Sequence, residues 1–159
     1  MLDSMPQKTV TFELDGKELT VDAGTTIWEA AQAEGQLIPH LCHKPEPGYR
    51  SDGNCRACMV EIEGERVLAA SCIRNVENGM VVHSQSERAA KSRALVVELL
   101  AADQPERAHD ASSHFSAMAE LNKVEHSRFP AKDASHVPIL DDSHVAMRVN
   151  LDACIHCNL

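Results

Sequence analysis

The chain has 159 residues, 43% of them hydrophobic, and a formal charge of -9 from 24 acidic and 15 basic side chains. That length and apolar content suit one folded domain with an appendage and argue against disorder throughout. The acidic excess argues against binding a polyanion by counterion release, so nucleic acid is a poor partner.

No stretch reaches the roughly 18 apolar residues that a membrane span needs, and the start MLDSMPQKTV lacks a charged-then-apolar signal architecture. Residues 1–7 read as a flexible leader, and the chain reads as cytoplasmic with no membrane partner. Next, TVTFEL at 9–14 alternates, Asp15-Gly16 is a strong hairpin turn, and Glu18 to Val21 resume the strand. Thr25 or Thr26 can cap a short helix in which Ile27, Ala30, Ala31 and Glu34 have helical spacing, and Gly35 can end it.

From Ile38 to Cys55 the periodicity disappears, and Pro39, Pro45, Pro47, Gly48 and Gly53 mark a long irregular loop, a feature usually functional in a compact domain. Met59 to Ile62, the turn Glu63-Gly64 and Arg66 to Ala70 read as a second hairpin, with Met80 to His83 as a fifth strand. Strand-strand-helix-loop-strand-strand predicts an α+β fold of the β-grasp kind over residues 8–84.

Ser84-Gln85-Ser86-Glu87 reads as a capping box ahead of a run that places Ala90, Ala94, Val97 and Leu100 or Ala101 on one face, which predicts a helix over 85–103. Beyond Gln104-Pro105 the chain turns polar and rich in histidine and serine, with one weak helical stretch around Phe115 to Val124. Residues 104–149 are accordingly expected to form an irregular or helical extension.

Six cysteines without a signal peptide favour a metal role in a reducing compartment over three disulfides. Cys42-x12-Cys55-x2-Cys58-x13-Cys72 supplies four thiols, the number a 2Fe-2S rhomb needs with two thiolates on each tetrahedral iron. The oxidised centre with its four thiolates carries a charge of about -2, so amide donors and nearby cations raise its potential. The loop glycines Gly48 and Gly53 and the cation Arg56 are candidates for those parts.

A structural zinc site also uses four thiolates, although it usually presents two tight pairs and only Cys55/Cys58 is tight here. Cys42 and Cys72 as plain core residues would leave the Gly-rich loop without a purpose. His40 and His43 flank Cys42 and permit a Rieske arrangement, but with four cysteines present they read better as exposed or supporting residues. No Gly-rich phosphate loop, Ser-His-Asp grouping or GxGxxG fingerprint occurs, so no catalytic set is expected within these residues.

The run IPHLCHKPEPGYRSDGNCRACMVEIEGERVLAASC resembles the N-terminal ferredoxin domain of complex I large-subunit relatives. That group includes NAD-reducing hydrogenase diaphorase subunits and the alpha subunits of NAD-dependent formate dehydrogenases. SRFP at 127–130 and the closing VNLDACIHCNL are similar to the same relatives. The resemblance implies a 2Fe-2S cluster on Cys42, Cys55, Cys58 and Cys72.

Many of these relatives carry a His-x3-Cys-x2-Cys-x5-Cys site for a 4Fe-4S cluster after the long helix. Here His109 is followed at those spacings by Ser113, Ser116 and Asn122, poor substitutes for thiolates. That cluster is therefore expected to be absent, which moves the resemblance toward formate dehydrogenase alpha subunits.

Cys154-Ile-His-Cys157-Asn-Leu resembles the opening of Cys-x2-Cys-x2-Cys-x3-Cys-Pro, so 150–159 reads as the start of a truncated 4Fe-4S motif. Cys154 and Cys157 would be ligands only if the chain continues, and otherwise thiols of a tail. The resemblance implies that the rest of the catalytic subunit holds further 4Fe-4S clusters and a molybdenum or tungsten bis-pterin site. The expected function is relay of single electrons between that formate-oxidising site and a flavin/NAD-binding diaphorase subunit. The alternatives are an electron-transfer subunit of an NAD-reducing hydrogenase or complex I-like dehydrogenase, and, from another class, a zinc-stabilised assembly module.

Overall fold

The computed structural model describes residues 8–104, 112–131, 133 and 140–155. Strands β1 (Thr9–Leu14) and β2 (Lys17–Asp22) pair antiparallel from Thr9↔Asp22 to Leu14↔Lys17. Asp15 and Gly16 both take positive φ, 48° and 86°, the primed turn whose twist matches that of the strands. Alternation then sends Phe12 and Leu14 into the core, while Glu13 lies between them on the other face.

Helix α1 (Ile27–Ala33) follows behind a capping box in which Thr26 accepts from the Glu29 amide and the Glu29 side chain reaches back to the Thr26 amide. Its face of Ile27, Trp28, Ala30 and Ala31 is buried against the sheet core. Strand β3 (Met59–Ile62) pairs antiparallel with β4 (Ala69–Ala70) and with β5 (Val81–His83), and β5 runs parallel to β1. The sheet order is β2-β1-β5-β3-β4, the mixed sheet of a β-grasp fold with α1 across it. Phe12, Leu14, Ile27, Val60 and Val82 form its centre, each worth about 1.5–3 kcal/mol of transfer free energy when fully buried.

Helix α2 (Glu87–Asp103) is capped by Ser86, whose side chain accepts from the Ala89 amide. Its buried residues are Ala89, Arg93, Val97 and Glu98, so the expected stripe through Ala90 and Ala94 is displaced by about one position. A stripe read from apolar residues alone passes over Arg93 and Glu98, which are buried because both have polar partners. The expected strand from Arg66 shortens to Ala69–Ala70, and a short helix α3 (His114–Leu121) stands where the weak helical stretch was read.

The extension is not only irregular or helical: β6 (Leu140–His144) and β7 (Met147–Asn150) form a separate hairpin, followed by a 3-10 turn at Leu151–Ala153. Every residue of β6 is exposed, and the segment LDDSH has no apolar alternation by which it could be read as a strand. Among the described residues no helix is long and apolar enough to cross a membrane.

Candidate metal centre

Cys58 immediately precedes β3 and Cys72 follows β4 by two residues. The pairing Met59↔Ala70 therefore sets the two thiols side by side, with Sγ atoms 3.4 Å apart. The turn after β4 is held by Ser71 N donating to Cys58 O at 3.2 Å and by Ile73 N and Arg74 N donating to Ala70 O. Two orphan amides at the start of α1 complete it, Ile27 N to Arg74 O at 2.9 Å and Trp28 N to Ser71 O at 3.0 Å.

The other two thiols face each other across the long loop. Cys42 N donates to Cys55 Sγ and Cys55 N to Cys42 Sγ, both at 3.4 Å, and Ala57 N donates to Cys55 Sγ at the same distance. Arg56 takes φ of 57°, a left-handed conformation uncommon outside glycine, in the bend between Cys55 and Ala57. Among the described residues the amides that donate to these two sulfurs are thus those of Cys42, Cys55 and Ala57, not those of Gly48 or Gly53.

Each pair divides its acidity. Hydrogen bonding to Cys55, and next to Cys72, lowers the Cys42 thiol to about 2, while the bond to Cys42 and then burial push Cys55 up. Bonding to Cys72 lowers Cys58 to about 7, whereas Cys72 is pushed up by Cys42, by Cys58 and by burial. Because Cys42 meets Cys72 as well as Cys55, the two pairs abut.

Thiolate is the metal-binding form; hydrogen bonding between the sulfurs already favours it at Cys42 and Cys58, and a metal entering the site would displace the protons that remain. Cys42, Cys58 and Cys72 are 1–3% exposed, and the amides already aimed at sulfur would stabilise negative charge there. Among the described residues no three His, Cys, Asp or Glu side chains converge on one ion position. Two abutting thiol pairs instead match the division that two irons with two thiolates each require. Cys42, Cys55, Cys58 and Cys72 could therefore hold a 2Fe-2S group.

His40 and His43 do not join the thiols. Their rings pack edge-on against Trp28 with centroids 4.8 and 4.2 Å away, and burial lowers the pKa of both. Trp28, which the sequence reading passed over except as part of a helix, donates from Nε1 to Ile38 O at 3.2 Å and so ties α1 to the start of the ligand loop. Its signal was its place on the inward face of α1 beside Ile27.

Arg56 is exposed; the buried cation beside this region is Arg93, 3% exposed, whose Nη1 donates to Met59 O at 2.8 Å and Ser84 O at 2.7 Å. On the outer side of the loop, Leu41, Ala57 and Met118 form a second apolar cluster with Cys55, Val96, Leu100, Phe115 and Ile155 packed against it.

The positions expected to have lost thiols are occupied by helix ends. Ser113 caps α3 by accepting from Ser116 N at 3.2 Å, its hydroxyl meets that of Ser116 at 2.9 Å, and Asn122 donates from Nδ2 to Met118 O at 2.8 Å. Cys154 is exposed, whereas His109 and Cys157 lie outside the described residues.

Residues 7–87 match the family described as the 2Fe-2S iron-sulfur cluster binding domain. The NADH-ubiquinone oxidoreductase 78 kDa subunit of Candida albicans is 41% identical over 96 residues, 60% of this chain and 13% of that protein. The NADP-reducing hydrogenase subunit HndD of Solidesulfovibrio fructosivorans is 32% identical over 155 residues, 93% of this chain and 26% of that protein. A crystal structure of NAD+-reducing [NiFe]-hydrogenase in the H2-reduced state superposes with a TM-score of 0.83 at 32% identity, over 94% of this chain and 63% of that one. The chain thus spans only a small part, 13% and 26%, of the two curated relatives.

Proposed function

The chain belongs to the 2Fe-2S iron-sulfur cluster binding domain family, and from that premise we propose that it is a one-electron relay within a larger NAD-linked oxidoreductase, with Cys42, Cys55, Cys58 and Cys72 as the cluster ligands. The observation that carries the reading is the paired thiols, Cys58 with Cys72 through their sulfurs and Cys42 with Cys55 through amide donors to sulfur. When bound, the cluster supplies a one-electron couple between centres whose own chemistry moves two electrons. The protein's part is to hold Cys42, Cys55 and Cys58 on an amide-lined loop and its exit, and Cys72 on the turn after β4.

For the parent enzyme we propose an NAD-dependent formate dehydrogenase, with a molybdenum or tungsten bis-pterin site and 4Fe-4S clusters elsewhere and a flavin/NAD-binding partner subunit, in a reducing cytoplasmic compartment. The support is the Ser113, Ser116 and Asn122 set, which fastens helix α3 and offers no thiolate to an additional cluster. A hydrogenase parent is the second reading, favoured by similarity to HndD along 93% of this chain. Formate-dependent against hydrogen-dependent NAD reduction by the purified parent complex separates the two, as does molybdenum or tungsten against nickel in its metal content.

The relay itself is tested by low-temperature electron paramagnetic resonance on the anaerobically purified, dithionite-reduced chain, with iron and labile sulfide counted. A rhombic signal near g ~2 that persists at liquid-nitrogen temperature, with about two irons and two sulfides per chain, supports it. A colourless chain with about one zinc and no signal would replace it with a structural metal module.

A further inference from the structure

Among the described residues, Arg93 is a buried cation without a carboxylate partner. It projects from α2, is 3% exposed, and among the described residues its buried Nε has no hydrogen-bond partner, while Nη1 donates to the neutral carbonyls of Met59 and Ser84. Burying a charge is costly unless an opposite charge compensates it, and a guanidinium does not escape by giving up its proton.

The neighbouring carboxylates are committed elsewhere. Glu98, one turn further along α2, is taken by Arg128. Asp15 accepts from Ser84 N at 2.7 Å and Ser84 Oγ at 2.6 Å, and it also accepts from Gln36. Burial pulls the Arg93 guanidinium below its usual range, and the fields of Cys58, first, and Asp15 act against that pull. The acceptor Met59 O belongs to the residue that follows Cys58, so the cation is anchored on the backbone of a proposed ligand.

We propose that Arg93 is the fixed counter-charge of the 2Fe-2S centre, a positioning residue that favours its reduced form and is itself held in the core by the centre's negative charge. The proposal rests on the assignment of Cys58 as a ligand. Charge at this place acts through a low-dielectric interior, whereas the exposed Arg56, nearer in sequence, is screened by water and salt. Reduction adds one negative charge to the centre, so a nearby cation stabilises the reduced state more than the oxidised one.

The experiment is a mediated potentiometric titration of the loaded chain, followed by electron paramagnetic resonance, for the wild type, R93Q and R93K. At fixed ambient potential the ratio of reduced to oxidised centre should fall about tenfold or more in R93Q, ~59 mV toward negative potential for a one-electron couple. R93K keeps the charge and should stay within about threefold of wild type. If R93Q does not fold, R93M, which keeps the apolar stem without the charge, takes its place. An unchanged midpoint in the neutral variant overturns the proposal, and so do equal shifts in R93Q and R93K, since those would report packing rather than charge. A wild-type chain that takes up no reducible iron would instead remove the cluster assignment itself.

Discussion

Arg128 closes on Glu98 with three donors, its backbone N at 2.6 Å, Nε at 2.7 Å and Nη2 at 2.8 Å. The contact fastens the segment after α3 to the middle of α2. These bonds hold the Glu98 carboxyl at about 2, against 4.5 in the absence of partners. A carboxyl depressed in the folded state stabilises it fully above the unfolded value, and that contribution disappears as pH falls from 4.5 toward 2. Denaturant midpoints of wild type and E98Q should therefore differ by a constant amount between about pH 7 and pH 5.5 and converge as pH falls toward about 2. The Arg128 side chain is 77% exposed, so the gap should also narrow with added salt. A gap that ignores both pH and salt would mean that the ionic part contributes nothing.

Serine at position 58 or 72 should abolish the paramagnetic signal and take bound iron from about two per chain to near zero, since a hydroxyl is a poor donor to iron. Serine at the exposed Cys154 should leave that signal and its iron count unchanged. Equal loss in the Cys154→Ser chain would place a further thiol in the centre and redraw the ligand set. Far-ultraviolet circular dichroism of each variant distinguishes loss of metal from loss of fold.

The ferredoxin-like half of the molecule was open to reading because its signals are local. Asp15-Gly16 between alternating segments marks a hairpin, a threonine at 25 or 26 ahead of helical spacing marks a helix start, and proline and glycine mark the ligand loop. The thiol spacing is meaningful because β3 and β4 turn it into a pairing across the strands. Features that depend on partners distant in the chain were not legible. Arg93 counts as surface in any hydropathy reading, and its burial against the Met59 and Ser84 carbonyls shows only once the chain is folded. Likewise the contact of Met118 with Leu41 and Ala57 spans the chain between the ligand loop and α3, and no periodicity encodes it.

Gly53, within the ligand loop, takes φ of 65°, and a Cβ there would lie 2.7 Å from Ile73 Cδ1, beside Cys72. The steric part is minor because that atom is the free end of a side chain 45% exposed to solvent, which can swing away. The backbone part remains, because an L-residue in the left-handed region costs about 1–2 kcal/mol. Gly53→Ala should thus lower stability by about 1 kcal/mol, and adding Ile73→Ala should recover little of it. Full recovery in the double variant would show that the methyl clash, not φ, sets the cost.

Met118 joins α3 to the outer side of the ligand loop. It is 6% exposed, packs with Leu41 and Ala57, and its sulfur accepts from His40 N at 3.5 Å, a weak bond next to the apolar contact. A helix of eight residues has little stability alone, so α3 stays in place through this packing. Met118→Ala should cost about 2–3 kcal/mol by the removal of buried methylenes. It should also loosen α3 over Cys55 and Ala57 and speed the loss of iron to a chelator by about tenfold or more, the rate equivalent of ~1.4 kcal/mol in opening. Met118→Leu, nearly equal in volume, should cost under about 1.5 kcal/mol and keep most of the protection. If Met118→Ala lowers stability yet iron leaves at the wild-type rate, α3 packs against the loop without shielding the centre.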